Sequence, residues 1–303
     1  MKVVLIISVI MFLVFYVGPA IVGFQSTFSR FECEAFDTKD ISGTVFEPFR
    51  EMYKEKIPEL KSYPHEQVEI TNDGIKLVGD FYDFGCEDTM VFVHGFCSNK
   101  YSSFAKQASD LAGKMNLLLI EQRAHNGSGG KWLTFGVKEQ YDVQKWTEWA
   151  AVRTKGRIFL YGISMGAATV LYASDKVDDT KVKGIIADCG YKSPWTMMYD
   201  MGVGKYTVVK LLTPCMCFLA RVLIKFNPHE KCADSLKNTK IPVLFIHGTA
   251  DTKVPIHHSC YNYDACASDK EKYFVEGAPH AVAYLYGGEE ARRKVEDFID
   301  RRK

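Results

Sequence analysis

Ser164 stands in Gly162-Ile163-Ser164-Met165-Gly166, directly after the apolar run Ile158-Phe159-Leu160-Tyr161 and before Ala167-Ala168-Thr169-Val170-Leu171. A short buried strand, a tight turn and a helix are what raise a serine hydroxyl clear of a sheet to act as a nucleophile. The glycines have a mechanical reason: the turn strains the serine backbone, and a Cβ two positions before or after it would strike the closing strand and helix. A hydroxyl is not ionised at neutral pH, so it needs a base, and the base needs an acid that fixes its tautomer. His280 lies in Gly277-Ala278-Pro279-His280-Ala281, after the last predicted strand, and Asp251 ends His247-Gly248-Thr249-Ala250-Asp251, after the strand over 241–246. Alone, each reads equally well as a loop histidine or a turn carboxylate. The chain order Ser164, Asp251, His280 is the one expected when all three sit beyond the carboxyl ends of strands in one parallel sheet. Acyl transfer also places negative charge on an oxygen. Its donors are expected to be the backbone N–H of Met165, opening the helix, and that of Phe96 in His94-Gly95-Phe96, with Cys97 N–H as the alternative. The Phe96 side chain would then wall the acyl pocket.

The elements that must hold these residues are legible as alternating strands and helices. Strands are predicted over 67–71, 75–84, 90–93, 117–120, 158–161, 182–187, 241–246 and 272–275, the first two joined by the turn Asn72-Asp73-Gly74. Helices are predicted over 102–115, 139–153 and 292–299; the second carries Val143, Trp146, Trp149 and Ala150 on one face. An antiparallel start followed by β-α-β units implies an α/β protein with a mostly parallel sheet and helices on both faces. Residues 25–66 form a lead-in in which Phe46, Phe49, Met52, Tyr53, Ile57 and Leu60 recur at helical spacing, as in a docking helix. About fifty residues separate Cys189 from Ile241, more than a plain crossover needs. Trp195, Met197, Met198, Tyr199, Met201, Met216, Phe218, Leu219 and Phe226 make this stretch bulky and apolar. It reads as a helix pair on the core, as a small lid over the site, or as both.

Among 303 residues, 47% are hydrophobic and 25% charged, with a formal net charge of +1. That balance gives no electrostatic case for nucleic-acid binding, and short clusters such as Arg292-Arg293-Lys294 and Arg301-Arg302-Lys303 read as solvated faces. The N-terminus differs: residues 3–24 carry no charge and as a helix would extend about 33 Å, enough to cross a hydrocarbon core. A single-pass anchor is favoured over a cleaved signal sequence, for which Gly18-Pro19-Ala20 is a poor site, and over a buried core helix, because the run is apolar on every side. Lys2 is nearly balanced by Arg30 and Lys39, so the side of the membrane stays open. The nine cysteines are irregularly spaced and include no C-x-x-C pair. His257 and His258, being adjacent, are expected to point apart on a helix, so no structural zinc site is expected.

Taken together, Val93-His94-Gly95-Phe96, Glu121-Gln122-Arg123-Ala124-His125-Asn126-Gly127-Ser128-Gly129-Gly130, the serine turn, His247-Gly248 with Asp251 and Val254-Pro255, and Pro279-His280 resemble the α/β-hydrolase superfamily. Within it the chain is similar to the serine-aminopeptidase/lysophospholipase-like branch, over about residues 65–300. Relatives usually read D-x-R-x-H-G-x-S-x-G in the second segment; here Glu121 replaces the aspartate and Asn126 precedes the glycine. The elbow with Ala187-Asp188-Cys189 looks like a bacterial subgroup of membrane-anchored or cytosolic hydrolases with poorly defined substrates. The resemblance implies an α/β-hydrolase fold: a mostly parallel eight-stranded sheet flanked by helices, with a small helical lid. It implies hydrolysis of an ester, thioester or amide of a small acyl substrate without a metal or organic cofactor. The expected organisation is an anchor or signal over 1–24, the lead-in over 25–66, and a hydrolase domain over 67–303 with its insert at 190–240. The reaction expected is hydrolysis of a lipophilic or short-acyl carboxylic ester. A serine aminopeptidase or amidase is the nearer alternative, and it would need an acidic cluster for the substrate amine. A non-catalytic binding scaffold is the other, and its mark would be a missing triad member. Asp188 is read as a capping or turn residue or as a second acid, and Cys189 as a packing residue. Nothing in the sequence fixes the oligomeric state.

Overall fold

The runs of Val, Ile, Leu and Phe with no polar alternation become the middle of one sheet, where both faces of each strand are covered. In the computed structural model, which describes residues 1–201 and 207–302, the eight strands are β1 (Glu66–Asn72), β2 (Ile75–Tyr82), β3 (Thr89–Val93), β4 (Asn116–Ile120), β5 (Ile158–Ile163), β6 (Val182–Asp188), β7 (Val243–Gly248) and β8 (Lys270–Val275). Residues 202–206 of the expected insert, and Lys303 at the end of the expected domain, lie outside the described residues. The strand order is β1-β2-β4-β3-β5-β6-β7-β8. The β1–β2 and β2–β4 pairs are antiparallel, and every other pair is parallel. Asp73 and Gly74, both at positive φ, make the two-residue turn of the β1–β2 hairpin. This is the mostly parallel sheet expected, with its carboxyl ends gathered on one edge.

Eleven α-helices surround it among the described residues: α1 (Lys2–Phe12), α2 (Gly18–Phe28), α3 (Arg50–Ser62), α4 (Lys100–Leu111), α5 (Glu139–Ala151), α6 (Met165–Ala173), α7 (Pro194–Met201), α8 (Thr207–Leu219), α9 (Cys232–Leu236), α10 (His257–Ala265) and α11 (Ala283–Asp300). One core joins α2, α5, α6, α8 and α9 through Phe28, Trp146, Val170, Met216 and Leu236. A second joins α3, α4 and α11 through Leu60, Phe104, Ala108, Val295 and Phe298. Helix bounds differ from those predicted: α4 covers 100–111 rather than 102–115, α5 ends at 151 rather than 153, and α11 covers 283–300 rather than 292–299. α4 starts at Lys100 because Asn99 caps it, its side chain accepting from Tyr101 N (3.0 Å) and Ser102 N (2.8 Å). α11 starts at Ala283, nine residues before its predicted start, and the kink at Gly288 (φ 52°) separates its first turn from the apolar period that follows.

The N-terminal segment is one helical run, Lys2–Phe28, whose most apolar 18-residue window has a mean hydropathy of 2.6, long and apolar enough to cross a bilayer. A π turn, Leu13–Val17, falls directly before Pro19, which lacks an N–H and crowds the carbonyl one turn back. The two ends of the run behave differently. Residues 1–15 stand exposed, whereas Ala20, Phe24 and Phe28 are buried. Phe24 lies 5.3 Å from the Trp132 ring, and Phe28 lies 5.4 Å from Phe135 and 5.8 Å from Phe226. The Arg30 guanidinium then donates to the Asn126 and Ser128 carbonyls and pins the exit of the helix. Thus Phe28→Ala should lower unfolding free energy in detergent by about 3–5 kcal/mol. Val4→Ala, at an exposed position, should change it by less than about 0.5 kcal/mol. Denaturant titration of both variants checks the pair.

Candidate active site

Ser164 closes β5 and precedes α6 with φ 54° and ψ −113°, a region a side-chain-bearing residue rarely occupies and one that costs about 1–3 kcal/mol. The surroundings impose it. A Cβ on Gly162 would run into the Gly166 carbonyl, and one on Gly166 into the carbonyls of Val93 and His94. Only glycine at both places lets β5, β3 and α6 approach closely enough to fold the turn. Ser164 N–H donates to the Asp188 carbonyl (2.8 Å), and Ala168 N–H to the Ser164 carbonyl (3.0 Å).

Two loops bring the partners. Ala250 N–H donates to the Ala278 carbonyl (3.1 Å), and Gly277 N–H to Thr249 Oγ1 (2.9 Å), so the turns after β7 and β8 are tied to each other. A Cβ on Gly248 would meet the Ala278 carbonyl, which is why that approach needs glycine. Asp251 Oδ1 accepts from Lys253 N (2.9 Å) and Val254 N (2.8 Å), and its Oδ2 lies 2.6 Å from His280 Nδ1. On the far side of that ring, His280 Nε2 lies 2.9 Å from Ser164 Oγ. With the acid ionised, the imidazole carries its hydrogen on Nδ1 and presents a lone pair to the serine, an assignment made from its partners.

His247, which the sequence offered only as part of a loop motif, completes the acid. Its Nδ1 lies 2.6 Å from Ser259 Oγ, while its Nε2–H faces the Val254 carbonyl (2.8 Å) and Asp251 Oδ2 (3.3 Å). Burial by itself would raise the Asp251 carboxyl; hydrogen bonds from His247 and His280 outweigh it and hold the group well below the usual carboxylate range. Asp188 does not take the second-acid position, since His280 Nδ1 is engaged by Asp251. Its two carboxyl oxygens are buried without a hydrogen-bond partner. Burial, with Asp251 nearby, pushes it up to about 7.

Phe96 and Met165, the expected oxyanion donors, flank the serine from two elements. Met165 opens α6, where the first N–H groups have no partner within the helix. Phe96 follows Gly95, whose Cα packs against the Ile163 carbonyl and the Ser164 side chain. The Phe96 ring stacks on Phe135 (5.3 Å) and meets Phe31 edge-on (4.9 Å), an aromatic wall supplied partly by the lead-in. The two departures from the usual second segment touch each other: Asn126 Nδ2 donates to Glu121 (2.9 Å) while its Oδ1 accepts Cys33 N–H (2.7 Å). Ser164 and His280 open on a cavity of about 610 Å³, bordered also by Phe36, Ile41 and Phe46 of the lead-in and by Met197, Met198 and Met216 of the insert. That size suits a small organic ligand.

One expectation is corrected here. The adjacent His257 and His258 were expected to diverge, but both Nε2 atoms lie 3.1 Å from Asp200 Oδ2, and their rings stack 4.4 Å apart. They sit in the first turn of α10, where α7 brings Asp200 against both. His258 Nδ1 accepts the Lys192 N–H (3.2 Å), which leaves its hydrogen on Nε2, a buried atom close to Asp200 but without a hydrogen-bond partner among the described residues. Burial pushes the His258 imidazole down to about 4, so it lies against Asp200 as a neutral ring.

With this geometry in place, the relatives can be compared. Residues 88–207 match the family model for the α/β-hydrolase fold. The chain is 27% identical over 218 residues to the uncharacterized protein YqkD of Bacillus subtilis strain 168, covering 70% of this chain and 71% of that one. Among solved structures it is similar to the Pyrococcus furiosus esterase Pf2001, with a TM-score of 0.65 and 24% identity over 81% of this chain and 93% of that one. It is also similar to Est1E of Butyrivibrio proteoclasticus, solved with ferulic acid bound, with a TM-score of 0.61 and 17% identity over 78% and 98% of the two chains. The fold is the α/β-hydrolase fold.

Asp188 makes the stability of this fold depend on pH. Folded, it takes up a proton near pH 7; unfolded, near the ordinary value of 3.8. The folded chain therefore binds more protons between those values, and the contribution of Asp188 to stability falls as pH rises through that window. Asp188→Asn should remove about 2 kcal/mol or more of the stability lost between pH 5 and pH 8. Urea titrations of both proteins at the two pH values measure it, and equal losses would count against the assignment.

Proposed function

We propose that the protein is a serine hydrolase of carboxylic esters, with Ser164 as nucleophile, His280 as general base and acid, and Asp251 as the orienting acid. The observation that carries this reading is the continuous line from Asp251 Oδ2 through His280 (2.6 Å) to Ser164 Oγ (2.9 Å), ending at the apolar cavity. Ser164 Oγ attacks the ester carbonyl while its proton passes to His280 Nε2, and ionised Asp251 stabilises the resulting imidazolium. The N–H groups of Phe96 and Met165 hold the oxyanion. Collapse expels the alcohol, which takes the proton from His280 and leaves Ser164 acylated. Water, deprotonated by His280, then attacks the acyl-enzyme, releases the acid and returns the proton to Ser164.

The cavity lining favours a lipophilic ester over a peptide with a free amine. Asp40, a carboxylate at the cavity, is already engaged by Ser42 Oγ (2.6 Å) and Arg50 (3.3 Å). We read the N-terminal helix as a retained membrane anchor, because removal of residues up to Ala20 would strip part of a helix whose Ala20, Phe24 and Phe28 pack on the core. Turnover of p-nitrophenyl butyrate tests the chemistry. Ser164→Ala should lower kcat at least about 10³-fold, and Asp251→Asn by roughly 10³–10⁴-fold, with KM little changed. Wild-type protein without turnover, or Ser164→Ala within tenfold of it, would contradict the proposal.

A further inference from the structure

Helix α8 has two apolar faces. One packs inward through Leu212, Met216 and Ala220 just beyond it, and Val209 and Met216 border the cavity. The other carries Val208, Leu211, Phe218 and Val222, at the three- and four-residue spacings of a single helix face and its continuation, exposed by 64%, 62%, 65% and 54%. The stretch Thr207–Ile224 has a mean hydropathy of 1.8. An apolar face of that extent on water marks an interaction surface.

The neighbouring helix says what covers it. α2 runs beside α8 in the same direction: Tyr16 Oη donates to the Leu211 carbonyl (3.2 Å), Gly23 faces Met216, and the Phe28 ring lies 5.8 Å from Phe226. Residues 2–15 make roughly 21 Å of helix, whereas a hydrocarbon core is about 30 Å thick. The missing ~9 Å has to come from residues 16–22, which lie level with the first turns of α8. Ile21 and Val22 in that interval are apolar and exposed. An anchor that crosses a bilayer therefore draws the start of α8 into it. Ser26 and Thr27, at the polar end of the anchor, border the same cavity as Ser164. The cavity then meets the membrane near the boundary between headgroups and acyl chains.

We propose that the outer face of α8 is a bilayer-docking surface, and that the cavity takes its ester sideways from the membrane as a long-chain acyl lipid. The proposal rests on the hydrolase and anchor readings above, and two experiments on the full-length chain separate their failure from its own. In the first, Leu211→Trp and, as control, Arg293→Trp on α11 are reconstituted into phosphatidylcholine vesicles with acyl-chain-brominated lipid. The fluorescence added at 211 should be quenched at least twofold more than that added at 293. Equal quenching in protein that floats with the vesicles overturns the docking surface, whereas protein that does not float contradicts the anchor. In the second, Leu211→Glu/Phe218→Glu is assayed on p-nitrophenyl palmitate in vesicles and on p-nitrophenyl acetate in water. Palmitate turnover should fall tenfold or more while acetate turnover stays within twofold. Equal change on both substrates overturns lateral uptake, and absence of acetate turnover in the wild type contradicts the hydrolase reading.

Discussion

The close approach of β3, β5 and α6 around Ser164 is the constraint on which the rest depends. Gly162 and Gly166 have no room for a Cβ because carbonyl oxygens of neighbouring backbone occupy it. The serine between them is forced to φ 54°, at the carboxyl end of a strand inside a parallel sheet. Strain of this kind persists only where the surroundings over-determine it. Here the sheet does so, with Val93 O closing on one side and Asp188 O accepting the Ser164 N–H on the other. Because the strands on either side are parallel, their carboxyl ends lie on the same edge. The turns that follow β3, β7 and β8 therefore converge on the hydroxyl.

That convergence sets the electrostatics. The turns after β7 and β8 are hydrogen-bonded to each other and set the carboxylate of Asp251 against the ring of His280. His247 adds a hydrogen bond to the same carboxylate, and burial without such partners would leave it protonated. Asp188, on the neighbouring strand, shows the contrast: its buried carboxyl oxygens make no hydrogen bond and burial pushes the group up to about 7. Two acids near one elbow are thus shifted in opposite directions, because hydrogen bonds outweigh burial at Asp251 and burial prevails at Asp188.

Much of this was legible in the sequence, and for physical reasons. Buried parallel strands need unbroken apolar runs, so β3, β4, β5 and β7 announced themselves. The glycines of the elbow and the positions of Asp251 and His280 after apolar runs located the three side chains that the structure brings into line. What was not legible depended on long-range packing. Phe31, Phe36 and Ile41 of the lead-in reach the aromatic wall or the cavity through contacts that no local period encodes. The hydrogen bond between Glu121 and Asn126 was hidden because each looked like a separate departure. The expected divergence of His257 and His258 ignored that another helix, carrying Asp200, could gather both imidazoles.

The N-terminal helix enters the same logic, since its inner end is packed into the core while its outer part stands clear. In the proposed reading, catalysis rests on one reactive atom, the Ser164 hydroxyl oxygen, which opens on the cavity. The most direct measurement is peptide mapping by mass spectrometry after treatment with a fluorophosphonate ester. The account predicts one phosphonyl adduct, on Ser164 in the peptide containing Gly162-Ile163-Ser164-Met165-Gly166. An adduct on another residue, or an unmodified Ser164 in folded protein, would contradict it.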